Sequence, residues 1–191
     1  MIKATLRDSL VYGLASLLSK GLAFFLLPIY TRVLTTRDYG AYDLLLTLGT
    51  LANLIVALEI SQGLARYWVD VRDESGRTKM ASTALWFTAG MYGLFLALGL
   101  VYSAPLSRQF LGTEVFLPAF RLGMGFIAIN GIYYLLLNQF RWELLSKGYA
   151  VASLAFALAT LVFAVIFCFW LGMGLEGVML SQMLAACCAA L

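Results

Sequence analysis

The sequence predicts an all-α fold, a polytopic bundle of about six transmembrane helices. Three observations carry that prediction. Of the 191 residues, 62% are hydrophobic and only 12% charged, against roughly 25% charged in a soluble domain. Residues 80–107 and 148–175 are each 28 residues long without one formal charge, and about 20 apolar residues cross a bilayer. The apolar residues come in blocks of this length rather than as the stripes of a soluble amphipathic helix.

Six spans follow in order, at roughly 9–33, 41–65, 81–104, 116–139, 149–171 and 175–191, together one six-helix lobe. The first is too long for a signal-peptide core, and no small-residue cleavage site precedes the next span. It places Lys20 near its middle and Pro28 further along. A mid-span lysine costs about 2.5–3.5 kcal/mol on insertion scales, so it belongs against a protein interior or a wet cavity. Pro28 removes a main-chain donor and is expected to kink or break the helix. Ser9, Tyr12, Gly13, Ser16 and Lys20 gather on one face when projected at 100° per residue, with Thr31 in line beyond the proline.

The second span ends with Glu59, Gln62 and Arg66 at i, i+3, i+7 spacing, so that Gln62 or a water can bridge acid to base. Asp43, Thr47, Thr50 and Ser61 fall on a different face of the same helix. The third carries Ala89, Gly93 and Ala97 at four-residue spacing, which permits close helix contact. The fourth aligns Asn130, Tyr134 and Arg141, with Asn138 nearby. After Glu176 only 15 residues remain, about 22 Å of helix against a hydrocarbon core of about 30 Å. The sixth span is therefore expected to be truncated, the chain being the N-terminal part of a longer polypeptide.

Basic residues give an orientation. Lys3, Arg7, Arg66, Arg72, Arg77, Lys79, Arg141 and Lys147 share the side of the N-terminus, while Arg32, Arg37 and Arg108 lie opposite, with Arg121 a turn into the fourth span. A cytoplasmic N-terminus is expected. Arg32, Arg66 and Arg141 stand near helix ends, where snorkelling to headgroups accounts for them equally well.

Several chemistries are excluded. The chain has no histidine, which removes His-based metal clusters and Ser-His or Cys-His catalysis within it. Cys168, Cys187 and Cys188 lie in apolar runs without metal-site spacing and read as small buried hydrophobes. No metal, no cofactor and no nucleic-acid partner is expected; the net charge of +3 is small and scattered. Polar stripes on several spans suggest a bundle around a hydrated path, and the cations among them suit an anionic, phosphate-bearing cargo.

The run LLPIYTRVLTTRDYG (residues 26–40), followed by a span ending in GLARYW (residues 63–68), resembles the polysaccharide flippases of the multidrug/oligosaccharidyl-lipid/polysaccharide exporter superfamily. The P-x-Y-T-R-x-L pattern and Tyr39-Gly40 are similar to the first periplasmic turn of these proteins. The resemblance implies about 12 to 14 helices in two similar lobes, of which this chain would supply the first. It implies a non-enzymatic flippase for lipopolysaccharide or exopolysaccharide biosynthesis in a bacterial inner membrane. Undecaprenyl-diphosphate-linked oligosaccharide units would pass from the cytoplasmic to the periplasmic leaflet by alternating access. The partners implied are the lipid-linked oligosaccharide, membrane lipid, the C-terminal lobe of the same polypeptide, and polysaccharide polymerase or assembly proteins.

The substrate-binding residues expected are Lys20, Arg32, Arg66, Asn130 and Arg141, with Glu59 as the ion-coupling carboxylate. Arg32 matches the motif arginine and Arg66 the arginine closing the second span; Lys20 stands apart from the motif. Pro28 would bend the first helix between two packings. Two rival readings are a multidrug or other cation-coupled exporter of the superfamily and a membrane-embedded polysaccharide-synthesis enzyme. The first predicts fewer cavity cations and more acids, the second a charged extramembrane loop larger than any here. A non-transporting scaffold, the third rival, would leave Lys20 as a cost without a use.

Overall fold

A computed structural model of the chain describes residues 2–71 and 73–190, apart from the side chains of residues 2–11, 15, 16, 19, 20 and 23. Among the described residues all regular structure is helical. The helices are α1 Ile2–Val33, α2 Thr36–Ile55, α3 Ile60–Trp68, α4 Glu74–Val101, α5 Ser103–Leu111, α6 Leu117–Trp142, α7 Ser146–Ala164 and α8 Gly174–Ala190. A π-helical segment, Val165–Trp170, continues α7. Glu74–Val101, Leu117–Trp142 and Ser146–Trp170 are each long and apolar enough to cross a membrane; α2 and α3 are so only taken together, as a pair bent by 46° that is a broken span or a re-entrant loop. The chain is an all-α membrane helix bundle.

α6 is the hub, packed against α8, α4 and α7 and touched by α2, α3 and α5; α1 lies along α7, and α7 along α8. Its sequence explains the position. Gly123, Gly125, Ala128 and Gly131 are buried on α6, and without large side chains the helices approach closely. A Cβ on Gly125 would lie 2.8 Å from the Met183 sulfur of α8, and one on Gly131 would overlap the Tyr92 ring of α4. The main core joins Leu26 and Tyr30 of α1, and Leu34 just beyond it, to Leu45, Phe120, Met124, Cys168, Val178 and Met179.

The seam expected on the third span packs differently. α4 buries Ala84, Thr88, Tyr92 and Gly99, whereas Gly93 and Ala97 are exposed and a Cβ on Gly93 would meet nothing within 4 Å. Close contact is therefore made one face over from Ala89, Gly93 and Ala97, where Tyr92 fits over Gly131.

α1 runs through Pro28 as one helix; the donor the proline removes is lost without ending it. The joint into α2 is a capping box. Asp38 N–H donates to Thr35 Oγ1 (3.2 Å) while Thr35 N–H donates to Asp38 Oδ2 (2.9 Å), satisfying two otherwise orphaned donors. The short helix α5, absent from the sequence reading, lies between the third and fourth spans; Arg121 Nε donates to Ser103 Oγ (3.0 Å) and Ser107 Oγ to the Thr113 carbonyl (2.9 Å).

Candidate functional site: a tyrosine-lined cavity and a broken span

α1, α2, α6, α7 and α8 line an open-sided cavity of about 560 Å³, within the size range of small-molecule sites. Its polar lining is Tyr30, Tyr39, Tyr42, Asn130, Tyr133, Ser153, Thr160 and Gln182, and no charged side chain lines it among the described residues. The tyrosines hold one another edge-on, Tyr30 to Tyr42 at 5.6 Å and Tyr39 to Tyr42 at 6.0 Å between centroids. Tyr133 stacks on Phe156 at 5.0 Å. These contacts fix the rings by packing, which favours edge-to-face and offset geometries.

Gln182 is the polar centre. Its Nε2 donates to the Tyr42 hydroxyl at 2.8 Å. Its Oε1 and the Tyr30 hydroxyl are buried without a well-formed hydrogen bond, although the Tyr30 and Gln182 side chains lie close enough to interact with each other. Burying such groups unpaired costs about 1–3 kcal/mol each, so a donor and an acceptor stand ready together in an aromatic-walled space. A guest hydroxyl that accepts from Tyr30 and donates to Gln182 would answer both.

The second feature is the break in the second span. The last main-chain bond of α2 runs from Val56 N to Ala52 O (2.8 Å). Leu58 and Glu59 then take left-handed backbone, φ 48° and 50°, a conformation costing roughly 1–2 kcal/mol per non-glycine residue. Glu59 precedes α3 without capping it by its side chain. Above the break, the Tyr92 hydroxyl donates to Asn53 Oδ1 at 2.5 Å.

The residues expected to bind cargo distribute as follows. Asn130 lines the tyrosine cavity. Arg32 and Arg66 are exposed in the last turns of α1 and α3. Arg141 is exposed, its guanidinium 5.5 Å from the Tyr149 ring centre and donating weakly to Asn138 Oδ1 at 3.4 Å. The Lys20 side chain lies outside the described residues. Glu59 is half-buried at the break, while Gln62 is exposed. Sequence reasoning weighted cations and passed over Tyr30, Tyr39, Tyr42 and Gln182. The available signal was a cluster of three tyrosines within fourteen residues after Pro28, together with a lone glutamine in the last apolar run.

The model of one protein family, described as polysaccharide biosynthesis protein, matches residues 5–191. The chain belongs to that family. Its members are typically transporters rather than enzymes. No curated protein and no solved structure matches it. It is thus a multi-pass membrane protein of the polysaccharide biosynthesis family, and its polar cavity is built from uncharged hydrogen-bonding side chains and aromatic rings.

Proposed function

We propose that the chain forms the first lobe of a flippase that carries lipid-linked oligosaccharide units from the cytoplasmic to the periplasmic leaflet, alternating between two openings. The observation that carries this reading is the placing of the Tyr30 hydroxyl and Gln182 Oε1 together, each without a well-formed hydrogen bond, inside a tyrosine-walled cavity. Sugars present hydroxyls that donate and accept together, and faces that suit aromatic rings. Lys20, Arg32, Arg66 and Arg141 would serve the diphosphate from the first helix and the span ends, through charge-assisted hydrogen bonds, with Asn130 on the sugar side.

A second lobe fits the outer face of α2. Asp43, Thr47 and Thr50 are exposed there, and a carboxylate facing hydrocarbon is costly; a hydrated path shared with another lobe removes that cost. The uncharged cavity disfavours a cationic-drug exporter.

The test replaces Tyr30 by Phe and Gln182 by Leu together in the chromosomal gene. Losing two hydrogen bonds of about 0.5–1.5 kcal/mol each should weaken cargo handling by about tenfold. Surface polysaccharide should fall and lipid-linked units accumulate, with the protein inserted at normal abundance. Unchanged polysaccharide would overturn the reading.

A further inference from the structure

We infer that a slot between α3, α4 and α6 binds one phospholipid with a phosphoethanolamine headgroup. The slot is open-sided and holds about 700 Å³, within the size range of small-molecule sites. It is separate from the tyrosine cavity, and no described residue lines both.

Its depth is apolar and its mouth polar. Leu64, Leu85 and Leu135 line the floor, and Glu74, Arg77, Gln139 and Glu143 line the mouth. At 1.5 Å per residue, Leu85 lies about 12 Å along α4 from Arg77, and Leu135 about 12 Å along α6 from Glu143. A ligand that fills the slot is therefore charged at one end and hydrocarbon at the other. Trp68 ends α3 and Trp142 ends α6, with ring centroids 6.0 Å apart, and indoles collect at the membrane–water boundary. That puts the mouth at headgroup level and the floor among acyl chains.

The charges at the mouth select the headgroup. Arg77 is held from two sides. Its Nε donates to the Val71 carbonyl at 2.9 Å, and its guanidinium carbon lies 5.7 Å from the Trp68 ring centre. Among the described residues no ion pair joins it to Glu74 or Glu143, so its terminal nitrogens present a fork that suits a phosphate. Gln139 Nε2 donates to Glu143 Oε1 at 2.8 Å, which orients that carboxylate, and Glu74 brings a second. Carboxylates only accept, and an ammonium has three donors to offer them. One guanidinium and two carboxylates thus match a zwitterion. Phosphoglycerol would answer Arg77 and bring nothing positive to the acids. Phosphocholine would bring a cation without an N–H to donate. The inference is independent of what the tyrosine cavity carries.

The experiment is mass spectrometry of the intact purified protein, released from detergent micelles that hold one added phospholipid. Phosphatidylethanolamine, phosphatidylglycerol and phosphatidylcholine with identical acyl chains are compared. One phosphatidylethanolamine should be retained, about tenfold more tightly than either of the others. Arg77→Gln should weaken its retention by about tenfold, and Glu74→Gln with Glu143→Gln should erase the advantage over phosphatidylglycerol. Ser82→Trp, at an exposed position on the slot wall, should block retention and elute as the wild type does. Equal retention of the three lipids, tighter binding of phosphatidylglycerol, or undiminished retention by Arg77→Gln and Ser82→Trp would overturn the site. Retention of no lipid would overturn it too, and leave the slot to a protein partner.

Discussion

Replacing Gly131 by Ala tests the packing that sets the depth and angle of the broken span. The new methyl group would enter the Tyr92 ring. That ring is 1% exposed and packed edge-on against Phe95 at 6.4 Å, so it has little room to move. Overpacking a rigid core costs about 1–3 kcal/mol. Displacing Tyr92 also strains its bond to Asn53, about 0.5–1.5 kcal/mol more. Alanine gains about 1 kcal/mol over glycine in helix propensity. The net loss is about 2 kcal/mol, and a chain of this size loses about 2–4 °C in Tm per kcal/mol. Thermal unfolding in detergent should therefore show a fall of about 4–8 °C. Adding Tyr92→Ala should recover part of the clash, so the double variant should be milder than the sum of the singles by about 1 kcal/mol. A Gly131→Ala protein as stable as the wild type, or strict additivity, would refute the account.

Two further outcomes follow from the backbone. Thr35→Ala removes one half of the capping box and should cost about 1 kcal/mol, read as a lower unfolding temperature with helix content unchanged. Leu58→Gly relieves a left-handed residue, φ 48°, whose side chain is 67% exposed. After glycine's entropic cost it should leave stability equal or raise it by about 0.5–1 kcal/mol, and a clear loss in the same assay would show that the leucine holds a contact.

Much of the fold was legible because bilayer thickness imposes it. Long uncharged runs at 80–107 and 148–175 became α4 and α7 with its π-helical extension. The break at Leu58 and Glu59 was not legible, because neither residue is Gly, Pro or Asn, and periodicity cannot report two left-handed dihedrals. At Pro28 the break that the sequence allows does not occur: the strongest helix breaker in the sequence lies inside an unbroken helix. α5 escaped because its nine residues merge with the end of an apolar run. The cavity was legible only in part. Asn130 came from its helical stripe, but Gln182 meets Tyr42 across 140 residues of sequence, a pairing that no local pattern encodes. Cations drew attention because each is costly in a membrane. Neutral tyrosines are not, although here they form the walls.

The break has a consequence on the clock of proton exchange. No main-chain bond among the described residues is donated by Ala57, Leu58 or Glu59, while α2 and α3 on either side are hydrogen-bonded helices. Three amide protons thus stand without a ladder to open, and their exchange with heavy water waits only on water reaching them. Their rate measures how wet this break is.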